Sequence, residues 1–227
     1  FDLKNKTLNW LDGKVKSADI YSVRLKDVSF NAGGSSQVGS FILSEMSFDK
    51  LKLLKASAEP LLKGGHFYLS NIKSSLLDGF LSGEIDLFFK DKMRCSADFK
   101  FKGIDLGAFV RDFELTDKLE LSGSMDGYVV LEADNNGIKN LEGDFKAADP
   151  GGMLTIKDDK YLKDMAKRTG QQIDFIVESF TNYSYNKGLM RMHLDSNNIV
   201  LDASLDGISG KRNLTVVLHD VLKRSGK

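Results

Sequence analysis

The sequence predicts a mainly β fold: antiparallel hairpins repeated into a curved, groove-like sheet, with one or two amphipathic helices. Three observations carry this. Residues 81–102 and 119–147 alternate apolar and polar side chains with a period of two, the signature of strands with one dry face. Residues that favour turns separate the alternating runs, above all Asp134-Asn135-Asn136-Gly137. Finally, Leu81-Ser82-Gly83-Glu84-Ile85-Asp86 matches Leu121-Ser122-Gly123-Ser124-Met125-Asp126 at an offset of 40 residues, with a weaker echo over Leu201–Gly207. Such a repeat points to stacked hairpins, each burying its face only beside the next. At 227 residues the chain suffices for one large β domain or two small ones.

Residues 1–64 read as an N-terminal β-rich segment, with β-like runs at Ala18–Leu25 and Val28–Asn31 and a Gly33-Gly34-Ser35-Ser36 loop. Phe48–Leu62 fits either a short helix stopped by Pro60 or a strand. Residues 65–220 form the repeated-hairpin domain. Its first hairpin puts Leu81, Gly83, Ile85, Leu87 and Phe89 on the dry face, turns at Asp91-Lys92, and returns with Met93, Cys95, Ala97, Phe99 and Phe101. Asp105–Val110 is a short helix with Asp105 as its N-cap. The second hairpin aligns Leu119, Leu121, Gly123, Met125, Gly127, Val129, Leu131 and Ala133, then Leu141, Gly143, Phe145 and Ala147 on the way back. From Asp158 to about Ser179, Tyr161, Leu162, Met165 and Ala166 recur at helical spacing, and Ile173 and Ile176 extend the stripe past Gly170. Strands follow at Phe180–Tyr185, Leu189–Leu194, Ile199–Leu205 and Asn213–His219, with a turn at Asn186-Lys187-Gly188, and residues 221–227 are expected to be a disordered tail.

Catalytic chemistry finds little support. Lysine plus arginine equal aspartate plus glutamate at 32 each, so no global field attracts nucleic acid or an anionic membrane surface. Cys95 is the only cysteine; it excludes an intrachain disulfide and reads as a small buried hydrophobe. His66, His193 and His219 are far apart and read as solvated surface histidines, so no metal site is expected. Aligning Gly137 with the glycine of a calcium loop puts Gly143 where the bidentate glutamate belongs, and the motif fails. Glu84 and Asp86 share a polar strand face with no apolar pocket to separate their pKa values. Neither a phosphate-cradling glycine loop nor a G-x-S-x-G elbow is present. No cofactor and no enzymatic activity are expected. No segment reaches the roughly 18–20 apolar residues of a membrane span, so any anchor is expected to lie outside this stretch of chain.

The order of motifs over Met93–Lys157 carries a family resemblance. Phe101-Lys102-Gly103-Ile104-Asp105-Leu106-Gly107-Ala108-Phe109 precedes Leu119-Glu120-Leu121-Ser122-Gly123-Ser124-Met125-Asp126-Gly127. Leu141-Glu142-Gly143-Asp144-Phe145-Lys146-Ala147 follows, and Gly151-Gly152-Met153-Leu154-Thr155-Ile156 closes the run. This resembles the C-terminal region of AsmA-like proteins, the superfamily that includes TamB and YdbH. The resemblance implies a segment held in the Gram-negative periplasm by an inner-membrane anchor, with a curved sheet whose hydrophobic groove carries phospholipid toward the outer membrane. It implies no catalytic residues. Under that reading Ile85, Leu87, Phe89, Phe99, Phe101, Met125, Val129, Leu131 and Phe145 line the groove against acyl chains, none of them singly essential. Other envelope proteins would pair at the sheet edges. The competing reading is a structural or protein-interaction module whose β core is completely filled, either by a second sheet or by the 158–179 helix.

Overall fold

The computed structural model describes residues 8–11, 14–20, 23–31, 39–48, 50–89, 93–170, 172–196 and 198–218. The N-terminal strands are β1 (Leu8–Leu11), β2 (Lys14–Ile20), β3 (Val23–Asn31), β4 (Ser40–Phe48) and β5 (Leu51–Lys63). Next come β6 (His66–Leu76), β7 (Gly79–Phe88), β8 (Arg94–Asp105), helix α1 (Leu106–Asp112), β9 (Leu119–Leu121), β10 (Ser124–Asp134) and β11 (Gly137–Ala147). The remainder is β12 (Gly152–Ile156), α2 (Asp159–Thr169), α3 (Ile173–Phe180), β13 (Tyr183–Tyr185), β14 (Lys187–Asp195), β15 (Asn198–Gly207) and β16 (Gly210–Leu218). The predicted tail, residues 221–227, lies outside the described residues, as do the Gly33–Ser36 loop and the Asp91-Lys92 turn.

Thirteen strands form one antiparallel sheet in the order β1 to β8, β10, β11, β14, β15, β16; β9, β12 and β13 form a separate three-stranded sheet in the order β13-β12-β9. The large sheet is not closed into a barrel. The mainly β prediction therefore holds, and the sequence alternation explains why. The alternating runs of the large sheet from β7 to β11 pair in registers that keep dry residues opposite dry ones.

Several local expectations change. Phe48–Leu62 contributes a strand, β5, and no helix. Pro60 lies beyond Ala58, the last β5 residue paired with β4, and opposite Leu69 of β6. The connection between β7 and β8 is longer than a two-residue turn, since Phe88 already pairs with Arg94. A turn at Asp91-Lys92 alone would set Lys90 against Met93 and mismatch the two faces, whereas the observed register sets Leu87 against Cys95.

The predicted strand over Leu119–Ala133 is two strands in two sheets. Gly123 adopts φ +104, which favours glycine, and a Cβ there would meet the carbonyl oxygen of Gly151 at 2.6 Å. The chain turns at this point, leaving β9 to pair with β12 while β10 enters the large sheet. Likewise the 158–179 helix is two helices. Gly170, left-handed at φ 67, caps α2 by donating its N–H to the Ala166 carbonyl. The stretch predicted as a strand from Phe180 begins as the end of α3; β13 starts only at Tyr183, and β14 already at Lys187, so the expected three-residue turn shrinks to Asn186. The α1 prediction is met, with Asp105 accepting a hydrogen bond from the Ala108 N–H.

Candidate functional site

Pairing registers assemble the dry-face residues into rows running across the strands. One row is Leu81, Phe101, Gly127, Phe145, Met190, Ala203 and Leu214. The next is Gly83, Phe99, Val129, Gly143, Met192, Leu201 and Val216. A third joins Leu69, Ile85, Ala97, Leu131 and Leu141, and a fourth Phe67, Leu87, Cys95, Ala133 and Ile138. No charged residue interrupts these rows. Gly127 sits where a Cβ would collide with the Phe145 ring, and across it Phe101 and Phe145 meet with ring centroids 5.5 Å apart. The glycine thus lets two aromatic side chains from strands on either side touch above the sheet.

What covers these rows changes along the sheet. On β10, β11 and β15, Met125, Val129, Leu141, Phe145 and Leu205 are buried in one core with Leu162 and Ala166 of α2, Ile176 and Phe180 of α3, and Leu154, Tyr183 and Tyr185 of the small sheet. Towards β4–β8 a second core consists of Ala58, Ile72, Leu76, Leu81 and Ile104, joined by Phe41, Leu69, Ile85 and Phe99 from the strands themselves; among the described residues it holds none from a helix. There Phe67, Leu69, Ile85, Leu87 and Phe99 are only half-buried.

The nine lining residues predicted from sequence therefore separate. Ile85, Leu87, Phe99 and Phe101 share the half-exposed part of the face, and Leu131 is half-buried at the boundary. Met125 (3% exposed), Val129 and Phe145 lie in the covered core. Phe89 falls just past the end of β7 and is 52% exposed; its N–H donates to the Gly65 carbonyl at 3.0 Å. Phe67 and Leu69 belong to the same half-buried region and are not among the residues the sequence singles out. Their alternation is blurred by Tyr68, which packs on the opposite face against His66.

The small sheet is held by directional bonds. Tyr185 donates its hydroxyl proton to the Ser122 carbonyl at 2.6 Å, and Tyr183 donates to the Gly210 carbonyl at 2.6 Å. Burial pushes the Tyr185 hydroxyl pKa up to about 12, and burial likewise raises that of Tyr183.

The polar groups assemble no catalytic constellation among the described residues. His66 is half-buried rather than solvated: its Nδ1 lies 2.9 Å from Asp86 Oδ1, and its ring stacks on Tyr68 at 5.3 Å and against Phe88 at 4.6 Å. His193 Nδ1 is 3.7 Å from Asp202, and His219 lies outside the described residues. Cys95 is half-buried on the dry face, its thiol pKa raised by burial and by the Asp86 charge. Among the described residues no group of three or more His, Cys, Asp or Glu is placed to hold a metal ion, and no helix is long and apolar enough to cross a membrane.

No curated protein and no solved structure matches this chain. Residues 49–218 match the YdbH-like family, described as intermembrane phospholipid transport protein YdbH. That span begins just before β5 and takes in both the half-exposed and the covered parts of the apolar face. With three-quarters of its length inside the match, the chain belongs to the YdbH-like family of intermembrane phospholipid transport proteins.

Proposed function

We propose that this chain is a periplasmic, non-enzymatic segment that carries phospholipid toward the outer membrane, with acyl chains lying on the half-exposed part of its apolar face. The observation that supports this reading is the half-burial of Leu69, Ile85, Leu87 and Phe99 in adjacent rows, with no helix sharing their core among the described residues. Each acyl CH₂ leaving water for such a surface gains about 0.8 kcal/mol, so a lipid can be held with no polar recognition. The outer face remains compatible with water. There Tyr128 donates to Asp144 at 2.7 Å, Arg191 donates to Asp144 at 3.4 Å, and Thr215 donates to Asp202 at 2.7 Å. Phe101 and Leu131 line the inner end of the path, and Phe89 stands at its rim.

Native mass spectrometry and lipid extraction of the purified chain test this reading, alongside a Leu87→Glu variant. The expected result is phospholipid bound to the parent chain and a folded variant that carries several-fold less. A parent chain free of lipid, or a Leu87→Glu chain that unfolds because Leu87 is ordinary core, would overturn it.

A further inference from the structure

The rows that are half-exposed on β7 and β8 continue, unchanged in chemistry, under α2 and α3. Phe101 leads through Gly127 to Phe145, Met190 and Ala203; Phe99 leads to Val129, Gly143, Met192 and Leu201. We propose that the α2–α3 pair masks a second phospholipid-binding stretch, reached from the first and opened when acyl chains displace the two helices. This rests on the groove reading above and adds an occupant and a moving part to it.

Three features carry the inference. The first is the chemistry of the contact. The helices share one core with the sheet through Leu162, Ala166, Ile176 and Phe180, an aliphatic and aromatic surface whose attraction is non-directional, and the Arg212 hydrogen bond to the Ser179 carbonyl adds a directional contact at the end of α3. Acyl methylenes can replace such side chains and leave the apolar area of the sheet as dry as before.

The second is how differently the neighbouring small sheet is held. Tyr185 to Ser122, Tyr183 to Gly210, and the Ser122 N–H to the Met153 carbonyl at 2.9 Å fix it in place. Both helices lie in one excursion between β12 and β13, so they can lift without unpairing a strand. Near the far end of this excursion, Arg212 Nε donates to the Ser179 carbonyl at 3.1 Å, and its guanidinium lies over the Phe180 ring.

The third is α3 itself. Ile176 and Phe180 are buried, yet Phe175 is 55% exposed and Val177 38%. A helix apolar on both sides is ill-suited to a fixed surface position in water and well-suited to one that also meets lipid.

The full chain would be mixed with phosphatidylethanolamine–phosphatidylglycerol vesicles containing a phosphatidylethanolamine with a diazirine in its acyl chain. Hydrogen exchange and mapped photo-adducts are then read together. Expected are faster exchange of residues 159–180 on adding vesicles, unchanged protection of β12 and β13, and adducts on Leu141, Met192 or Leu201 as well as on Leu87 or Phe99. In a Leu162→Glu variant the adducts on the masked residues should rise several-fold while those on Leu87 and Phe99 stay constant. If that variant does not fold, the exchange of the parent chain still decides. Adducts confined to Leu87 and Phe99, with residues 159–180 unchanged or slowed, would overturn the masked stretch and leave the groove reading standing. Absence of adducts at every position would remove both.

Discussion

On β7 and β8 the inward side chains Ile85, Leu87 and Phe99 are half-buried, while on the next two strands Val129, Leu141 and Phe145 are buried. Both regions are built from the same alternation, in the same sheet, in registers that place Phe99 directly opposite Val129. The difference lies in what the chain does between strands. Among the described residues, β4 through β8 follow one another with no helix or further strand inserted between them. Between β11 and β14 the chain inserts β12, α2, α3 and β13, and these supply the cover. An alternating strand pattern thus specifies which face is dry, and the insertions specify what meets that face. A buried core and a half-buried apolar face therefore occur side by side in one sheet.

The comparison breaks most directly on matched truncations. Phe145→Ala removes a buried ring from the covered core and should cost about 3–5 kcal/mol. Leu87→Ala removes a side chain that is already partly in water and should cost about 1 kcal/mol, because only part of its transfer energy is at stake. Urea unfolding of the two variants measures both. Equal costs would mean that the β7–β8 face is covered in solution, and the division of the sheet into two regions would fail.

The strand faces were legible because period-two alternation survives wherever one side is wet: Leu81, Gly83, Ile85 and Leu87 share one face, and Leu141, Gly143, Phe145 and Ala147 alternate as buried residues with exposed ones. The break at Gly123 was not, because Leu121-Ser122-Gly123 reads like Leu81-Ser82-Gly83. Gly83 remains within β7, directly opposite Phe99, whereas Gly123 swings to positive φ because Leu121 is claimed by Leu154 of β12. That partner is 33 residues away in sequence, and no local pattern announces it. The helical stripe was legible too, but it resumes at Ile173 in phase with Leu162 and Ala166, which conceals the stop at Gly170. Of the nine residues proposed to touch acyl chains, eight lie within strands and share one face of the sheet; the alternation held no information about which of them would be buried in the core with α2 and α3.

Gly123→Ala sharpens the boundary from the other side. Positive φ and the close Gly151 carbonyl should together cost about 2 kcal/mol, within the usual range for a strained backbone position. The loss should concentrate in β9 and β12, read as faster amide exchange there, with β6 to β8 unchanged. A uniform loss across the whole sheet would mean that the small sheet and the half-buried region are one cooperative unit.

Tyr185 gives a smaller, pH-dependent handle on the covered region. Its pKa is pushed up to about 12, so the folded chain keeps a proton that the unfolded chain releases near pH 10. This stabilisation is complete below about pH 10 and is lost as pH rises through about 12. Tyr185→Phe, which leaves the Ser122 carbonyl without its donor, should cost about 1–2 kcal/mol at neutral pH. It should also flatten the fall in stability above pH 10. Denaturant melts of both chains across that range check the sign; an equally steep fall in the variant would assign the alkaline loss to other groups.

The smallest expected effect isolates the cover itself. Gly170 ends α2 at φ 67, and nothing lies within 4 Å of where its Cβ would be, so Gly170→Ala meets a backbone penalty without a clash. That penalty is about 1 kcal/mol. It should fall on the α2–α3 junction alone, because Leu162, Ala166, Ile176 and Phe180, which the pair contributes to the core, and the Arg212–Ser179 hydrogen bond are untouched. Exchange of residues 159–180 should then quicken while Val129, Leu141 and Phe145 keep their protection, since strand amides are held by the ladder and not by the helices. Should the β10 and β11 amides open together with the helices, the covered region would be a single packed core, and the cover could not move over a sheet that stays formed.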